Sequence, residues 1–451
     1  MKIVQSLINR IFRDIYLREI VSCGSTVLFI KIFGMLISYI SMIYITNYYG
    51  AEDFGALTLI ISIVFVASII PKFGMESALV RIIGEVKMTH GRSAIKKIII
   101  KSFLFVLALS SFVSISLYLS SEAISSDILN KDKVNYIELV AIAITPMVII
   151  SIIAALFQSL KKMKLYSFLK MTLVHLIFFL TLLVNDFYDL RFDIEDIYVY
   201  SIGLSLIVAI FFIYRLDLNL DFIKGNNNLS QPYGLYKILK TAFPMLLASL
   251  SFVIMNLTDV LMLGLYTTLT DVGIYSAAQK IATISSVLLI AINSIAAPKI
   301  IELYANKDYK SLESLIKQIT RLMFYISAPF LLIFIFFPHS VMSIFGEGFT
   351  LGVTVLVLMS LSQCVNAISG PVGVILTMTD KQVAFQYVII ISTVLNIILN
   401  YILIPRYGID GAAFATMVSM IFWNLTLVVY IKKKMGFVTI YIPKINYEKK
   451  I

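Results

Sequence analysis

The chain is short of nearly everything a soluble enzyme uses. Charged residues make up 14% of its 451 positions, and it has three histidines, two cysteines and one tryptophan. The histidines, His90, His175 and His339, lie on scattered segments, so a metal site is not expected. No glycine-rich loop ends in Lys-Ser or Lys-Thr, which argues against nucleotide hydrolysis and leaves no cofactor to expect. Cys23 and Cys364 both fall in apolar stretches and read as small apolar residues, not a disulfide. A small-residue cleavage site is missing from residues 1–20, which carry Arg10, Arg13 and Arg18, so this stretch reads as a cytoplasmic tail.

Apolar side chains are what the chain has, at 59%. A soluble fold of this size could not hide them, so lipid is the solvent the sequence is written for. Runs of about 20 apolar residues, the length that crosses a bilayer core, fall near 21–46, 55–77, 95–119, 136–159, 165–184 and 196–214. Six more follow at 241–266, 272–297, 322–346, 350–378, 383–405 and 408–431. The expectation is an all-α polytopic membrane protein of about 12 transmembrane helices.

Charge placement supports that count. With the N-terminus inside, cytoplasmic segments hold 30 of the 37 basic residues, among them Lys161, Lys162 and Lys164 and the run Lys432–Lys434. Only Lys131, Lys133, Arg191 and Arg406 fall outside, and a miscounted helix would destroy this bias. Both termini are therefore expected in the cytoplasm. The net charge of +11 reflects this retention of lysine and arginine, and nucleic acid is not an expected partner. The stretch 298–321 mixes charge with Ile300, Leu303, Leu312, Leu315, Ile316 and Ile319, the pattern of an amphipathic helix on the membrane surface.

The predicted organisation is a tail at 1–20, a six-helix bundle at 21–214, a linker at 215–240 containing Gly225-Asn226-Asn227-Asn228, a second bundle at 241–431, and a basic tail at 432–451. A faint repeat links the halves. Tyr48-x4-Asp53-Phe54-Gly55 recurs 218 residues later as Tyr266-x4-Asp271-Val272-Gly273. Both copies are expected outside, so the halves share one orientation, and two such bundles around a central cavity suit alternating access.

Ionisable residues at membrane depth are costly and mark working positions or partners. Lys31, about 22 Å from the outer end of helix 1, reads either as a contact for an anionic substrate or as a lysine reaching toward the cytoplasm. Asp259 and Lys280 lie at similar depths on adjacent antiparallel helices, as a structural ion pair or a coupling site. Lys72, Glu76 and Arg81 follow Pro71, as interfacial anchors or headgroup contacts at a cavity mouth. His175 is a candidate proton relay or a hydrogen-bonded core residue. Asn256, Asn293, Gln363, Asn366, Asn396, Asn400 and Asn424 are helix glue or cavity lining. Ser369-Gly370-Pro371-x-Gly373 must loosen helix 10, which makes Gly370, Pro371 and Gly373 a candidate hinge.

Three segments resemble a known family. Asn256-x2-Asp259-x-Leu261-Met262-Leu263-Gly264 followed by Val272-Gly273-Ile274-Tyr275-Ser276-Ala277-Ala278-Gln279-Lys280 is similar to the helix 7–8 signature of polysaccharide flippases. The stretch from Leu395-Asn396 through Asn400, Pro405-Arg406-Tyr407-Gly408-Ile409-Asp410-Gly411 to Thr416 resembles that family's helix 11–12 junction, and Phe73–Arg81 its helix 2 end. The family is the Wzx-type O-antigen and capsule repeat-unit flippases, within the multidrug/oligosaccharidyl-lipid/polysaccharide exporter superfamily. The resemblance implies two six-helix bundles around a cationic cavity, as in the MATE-like fold. It implies a transporter, not an enzyme, that moves an undecaprenyl-pyrophosphate-linked oligosaccharide of O-antigen (lipopolysaccharide) or capsule type between leaflets of the bacterial cytoplasmic (inner) membrane.

Membrane lipids, a polysaccharide polymerase and chain-length machinery are the partners that follow. A gradient of H+ or Na+, or the membrane potential, would drive transport. Lys31 and Lys280 match the family's basic residues by placement, although related carriers place several arginines where this chain has few deep cations. Two rivals remain. A cation-coupled drug exporter would line its cavity with acids, and a pathway polymerase or ligase would carry a large outside loop.

Overall fold

Hydrocarbon offers no hydrogen-bond partners, so a chain this apolar must satisfy its backbone within each segment. The computed structural model describes residues 15–89, 92–122, 134–217, 234–379 and 381–441, and among these there are helices and turns but no strand. His90, Lys131, Lys133, the Gly225–Asn228 linker and most of both tails lie outside the described residues.

The chain begins with α1 (Ile15–Tyr48), α2 (Ala51–Ala67), the short α3 (Ile69–Lys72), α4 (Met75–Thr89), α5 (Arg92–Leu119) and α6 (Val134–Ser159). α7 (Met163–Ser167) passes through a π turn at Phe168–Thr172 into α8 (Leu173–Phe187), and α9 (Ile194–Asp217) follows. Then come α10 (Leu235–Tyr266), α11 (Leu269–Ala282), α12 (Ile284–Ala305), α13 (Tyr309–Phe336) and α14 (Pro338–Ser343). A 3-10 turn at Glu347–Gly352 leads to α15 (Val353–Ser369), α16 (Val372–Met378) and α17 (Gln382–Met435).

Nine helices among the described residues are long and apolar enough to cross a membrane. α17 has 54 residues, roughly 80 Å of helix, and Gly408 (φ 55, ψ −131) folds it into two crossings at the expected 405–408 junction. Each of the twelve sequence-predicted spans overlaps a helix. Large apolar side chains stand outward along them, Phe29, Phe112, Leu119, Phe187 and Phe211 among them, as lipid-facing surface requires. This is a multi-pass membrane protein.

Backbone contacts divide the chain into two units, one of Met1–Tyr44 with Ile60–Ile254, the other of Ile45–Leu59 with Met255–Ile451. The boundaries fall inside α1, α2 and α10 and not in the 215–240 linker. In the first unit, Val64, Leu79, Ile82, Ile83, Val148, Phe157 and Ile202 form a fully buried core. In the second, Ile300, Leu312, Ile316 and Met323 pack with Ile375, Leu376, Leu427 and Ile431.

That second core corrects the reading of 298–321. The segment is not a separate helix. It is the end of α12 and the start of α13, joined by a turn at Asn306–Asp308, and its apolar face is spent on α16 and α17. Asp308 caps α13, and Ser311 hydrogen bonds hold its carboxyl below the usual carboxylate range. The span predicted at 322–346 accordingly begins earlier, at Tyr309, and breaks at Phe337-Pro338.

The repeated hairpins match residue for residue. α1 ends at Tyr48 and α10 at Tyr266, and Asp53 and Asp271 each occupy the third position of the next helix. In the second copy, Thr268 and Asp271 form a capping box, with Asp271 N–H donating to Thr268 Oγ1 at 3.2 Å. Gly55 and Gly273, the equivalent glycines, touch inside the second unit. A Cβ on Gly55 would lie 1.8 Å from Leu269 O, and one on Gly273 would lie 2.1 Å from Ala51 O.

Candidate functional site

The second unit holds a buried carboxylate among apolar helices. Asp259, on α10, is 4% exposed. Tyr275 Oη of α11 donates to its Oδ2 at 2.8 Å, and Asn400 Nδ2 of α17 donates to Oδ1 at 2.5 Å. Thr416 Oγ1, beyond the Gly408 fold of the same helix, donates to Oδ2 as well. Asn400 also donates to Asn396 Oδ1 at 3.1 Å, and Asn396 Nδ2 donates to Thr416 Oγ1 at 3.3 Å. Among the described residues every partner of the carboxylate is neutral. The predicted Asp259–Lys280 ion pair is therefore not formed. Lys280 is half-buried and makes contacts of its own. The three neutral donors occupy the position beside the carboxylate that the lysine was expected to fill.

A cavity of about 150 Å³ opens beside this network, lined by Asn256, Asp259, Gln279, Thr283, Met359, Ser362, Gln363, Ser392, Thr393, Asn396, Thr416, Ser419, Met420 and Trp423. Asn256, Asp259, Gln363 and Asn396 were expected as cavity residues and are brought together here. Asn366 stands behind Gln363, donating to its Oε1 at 3.3 Å. Asn293 is elsewhere on α12, its Oδ1 buried without a hydrogen-bond partner. Tyr275, Thr416 and Gln279 were missed as site residues. The signal available was spacing alone, since Tyr275 follows Asp259 by 16 residues on the antiparallel helix. Asn400 Oδ1 is buried and unpartnered beside the carboxylate. Carboxylate, amide and hydroxyl oxygens are the ligands that hard cations take. No group of three or more His, Cys, Asp or Glu side chains suited to a metal exists among the described residues.

The first unit carries a cationic cluster. α2 ends at Ala67, Ser68 leads into α3 with Pro71 and Lys72, and Phe73 (φ 47) and Gly74 (φ 68) turn the chain into α4. Gly74 is required there, because a Cβ would meet Ala242 O at 2.3 Å. Lys72 Nζ lies 3.4 Å from Glu76 Oε1, and Lys170 Nζ bonds Glu76 Oε2. Lys170 sits in the π turn, whose extra residue per turn re-aims side chains. That turn is docked on α1. Thr172 Oγ1 donates to Ile30 O at 3.0 Å, and Gly34 is so close that a Cβ would lie 2.6 Å from Met171 O. Lys31, exposed, follows Ile30 on the docked stretch. Lys31 and Lys72 are thus held by elements that meet at one turn. Arg81 and His175 are exposed, each with partners, and neither is bonded to Glu76.

The candidate hinge is a true break. α15 stops at Ser369, Gly370 has φ +79, and α16 restarts after Pro371. A Cβ on Gly370 would sit 2.1 Å from Thr320 Oγ1, and one on Gly373 would sit 3.0 Å from the Phe385 ring.

Long apolar helices in two units, with ionisable side chains held between helices in each, define a polytopic membrane protein. The model of the polysaccharide biosynthesis protein family matches residues 24–303, and the chain belongs to that family. The MatE model matches residues 244–402. Among curated relatives from Haloferax volcanii, the probable low-salt glycan biosynthesis flippase Agl15 is 30% identical over 162 residues, 36% of this chain and 34% of that protein. The probable flippase AglR is 26% identical over 233 residues, 50% of this chain and 47% of that one. The matched stretches thus span a third to a half of the length of these relatives. Solved structures share the fold. The lipid II flippase MurJ, in an inward closed conformation, superposes with TM-score 0.70 at 16% identity over 91% of this chain and 87% of that chain. An inward-facing multidrug resistance MATE transporter gives 0.68 at 15% identity over 89% and 94%.

Proposed function

We propose that the chain is a flippase that carries a lipid-linked oligosaccharide from the inner to the outer leaflet by alternating access, driven by a cation bound at Asp259. The observation that carries this reading is the buried Asp259 carboxylate, bonded only to neutral donors and opening on a polar cavity. A structural scaffold has no use for such a charge in lipid. Family membership and the names of the Haloferax relatives support lipid-linked glycan as the cargo class. The finer reading is an undecaprenyl-pyrophosphate-linked repeat unit of O-antigen or capsule type in a bacterial cytoplasmic membrane, with both termini inside and a polymerase with its chain-length machinery as partners. Lys31 and Lys72 of the first unit are proposed diphosphate contacts, and within the second unit Asn256, Gln363 and Asn396 line the polar cavity and Lys280 is a further candidate contact.

Binding of H+ or Na+ to Asp259 would replace bonds from Tyr275, Asn400 and Thr416, which span α10, α11 and both arms of α17. A change of ligand there repacks four helical segments at once, which is how a small event biases a two-state bundle. The MatE match favours one rival, a drug exporter. The cavity has a single acid, already bonded three times, where a cationic drug would want a vacant one.

The test is reconstitution in liposomes with a fluorescent polyprenyl-diphosphate oligosaccharide, its leaflet read by a lectin added outside. Translocation that needs an imposed H+ or Na+ gradient and is lost in Asp259→Asn is the expected result. Gradient-driven efflux of cationic dyes with no glycan movement would overturn it in favour of the exporter.

A further inference from the structure

Glu76 serves two cations at once. Its Oε1 faces Lys72 at 3.4 Å and its Oε2 bonds Lys170, and the three side chains come from α4, α3 and the π turn. Among the described residues these two lysines are the charged groups that act on it. Two ammonium groups on one carboxylate leave the trio one positive charge in excess. None of the three is sealed off, with side-chain exposures of 13% for Lys72, 26% for Lys170 and 28% for Glu76.

The trio therefore carries an excess positive charge that water and small solutes can reach. An anion with two negative charges and several oxygens would satisfy both lysines better than one carboxylate does. The π turn at Phe168–Thr172, which contains neither proline nor glycine, docks on α1 through Thr172 and also delivers Lys170 to Glu76.

We propose that Glu76 is a resident stand-in for the phosphate or diphosphate of the transported lipid. While the site is empty it keeps Lys72 and Lys170 aimed at one point. The arriving phosphate oxygens take both lysines, and the Glu76 carboxylate turns to water. This rests on the flippase reading and adds Lys170 and Glu76 to its binding site. The stand-in lowers apparent affinity, because the binding-competent state must first be vacated. In return it prevents two bare lysines from trapping any passing anion, and it makes release as easy as capture.

Wild-type protein, Glu76→Gln, Glu76→Asp and the double variant Lys72→Gln/Lys170→Gln, each in phosphatidylcholine nanodiscs, would be titrated with inorganic pyrophosphate and with farnesyl diphosphate. Glu76→Gln should bind about tenfold tighter than wild type, because the competitor is gone, and Glu76→Asp should fall between. The double lysine variant should lose binding. Preference for farnesyl diphosphate marks a lipid headgroup site, whereas equal affinity marks a general phosphate site. Unchanged or weaker binding by folded Glu76→Gln, or by Glu76→Asp if the former does not fold, would overturn the stand-in. Absence of binding by the wild type would instead remove the anion site from the flippase reading.

Discussion

At the scale of single residues, Asp259 and its three donors are the most constrained group in the second unit. Asparagine at 259 keeps the shape and one acceptor but removes the charge, so Asp259→Asn should insert and fold while translocation falls at least tenfold and loses its gradient dependence. Leaflet assays under an imposed gradient check this. Asn400→Ala acts differently. It strips one donor from a buried carboxylate at a position that is fully buried, and a lost charge-assisted bond costs about 1–3 kcal/mol. A lowered thermal midpoint in detergent, largely absent when Asn400→Ala is made on Asp259→Asn, would identify that bond as the cause. That Asp259 would need partners was legible from a carboxylate inside an apolar span. Its partners were not, because Lys280 offered the simplest electrostatic answer, while the true donors are neutral side chains distributed over 157 residues.

At the scale of elements, glycine and proline made some breaks legible and their absence hid others. Gly370-Pro371 in helix 10 and Gly408 after Pro405 both end helices where expected. The π turn at Phe168–Thr172 carries no such mark, so Lys170 passed as an ordinary residue near the start of a span. The start of α13 was misplaced because its charged face looked like membrane surface, and only packing reveals where Leu312 and Ile316 go. The break at Gly370 gives a sharp expectation. Alanine there combines an unfavourable φ of +79 with a 2.1 Å approach to Thr320 Oγ1. Gly370→Ala should destabilise the protein by roughly 1–3 kcal/mol, and Thr320→Ala should recover the steric part but not the backbone part. Chemical denaturation of the four proteins of this double-mutant cycle measures the coupling. Complete recovery would mean that the left-handed backbone contributes nothing.

At the scale of the whole molecule, composition and charge bias made the multi-pass helical fold legible, because lipid imposes a stricter rule on backbone than any core does. The division into units was less so. A linker announces itself by polarity, whereas a boundary inside α1 or α10 shows only in which neighbours each half touches. The orientation expected from lysine and arginine placement can be tested on two turns with positive φ, at Asp189 and Lys307. With Cys23 and Cys364 replaced, a cysteine at 189 should react with an impermeant maleimide in intact cells, and one at 307 only after lysis. The reverse pattern would invert the topology and with it the direction of transport.

Gly55 and Gly273 touch through bare backbone, each the image of the other in its repeat. A contact without side chains has no rotamers to reset and no interlocked groups to drag apart. Such a surface can part and close again many times at little entropic cost. It is also unforgiving of length, since one inserted residue in either hairpin would rotate its glycine by about 100° around the helix and leave its counterpart facing a side chain. The two hairpins are thus bound to keep the same register, whatever else in their sequences drifts.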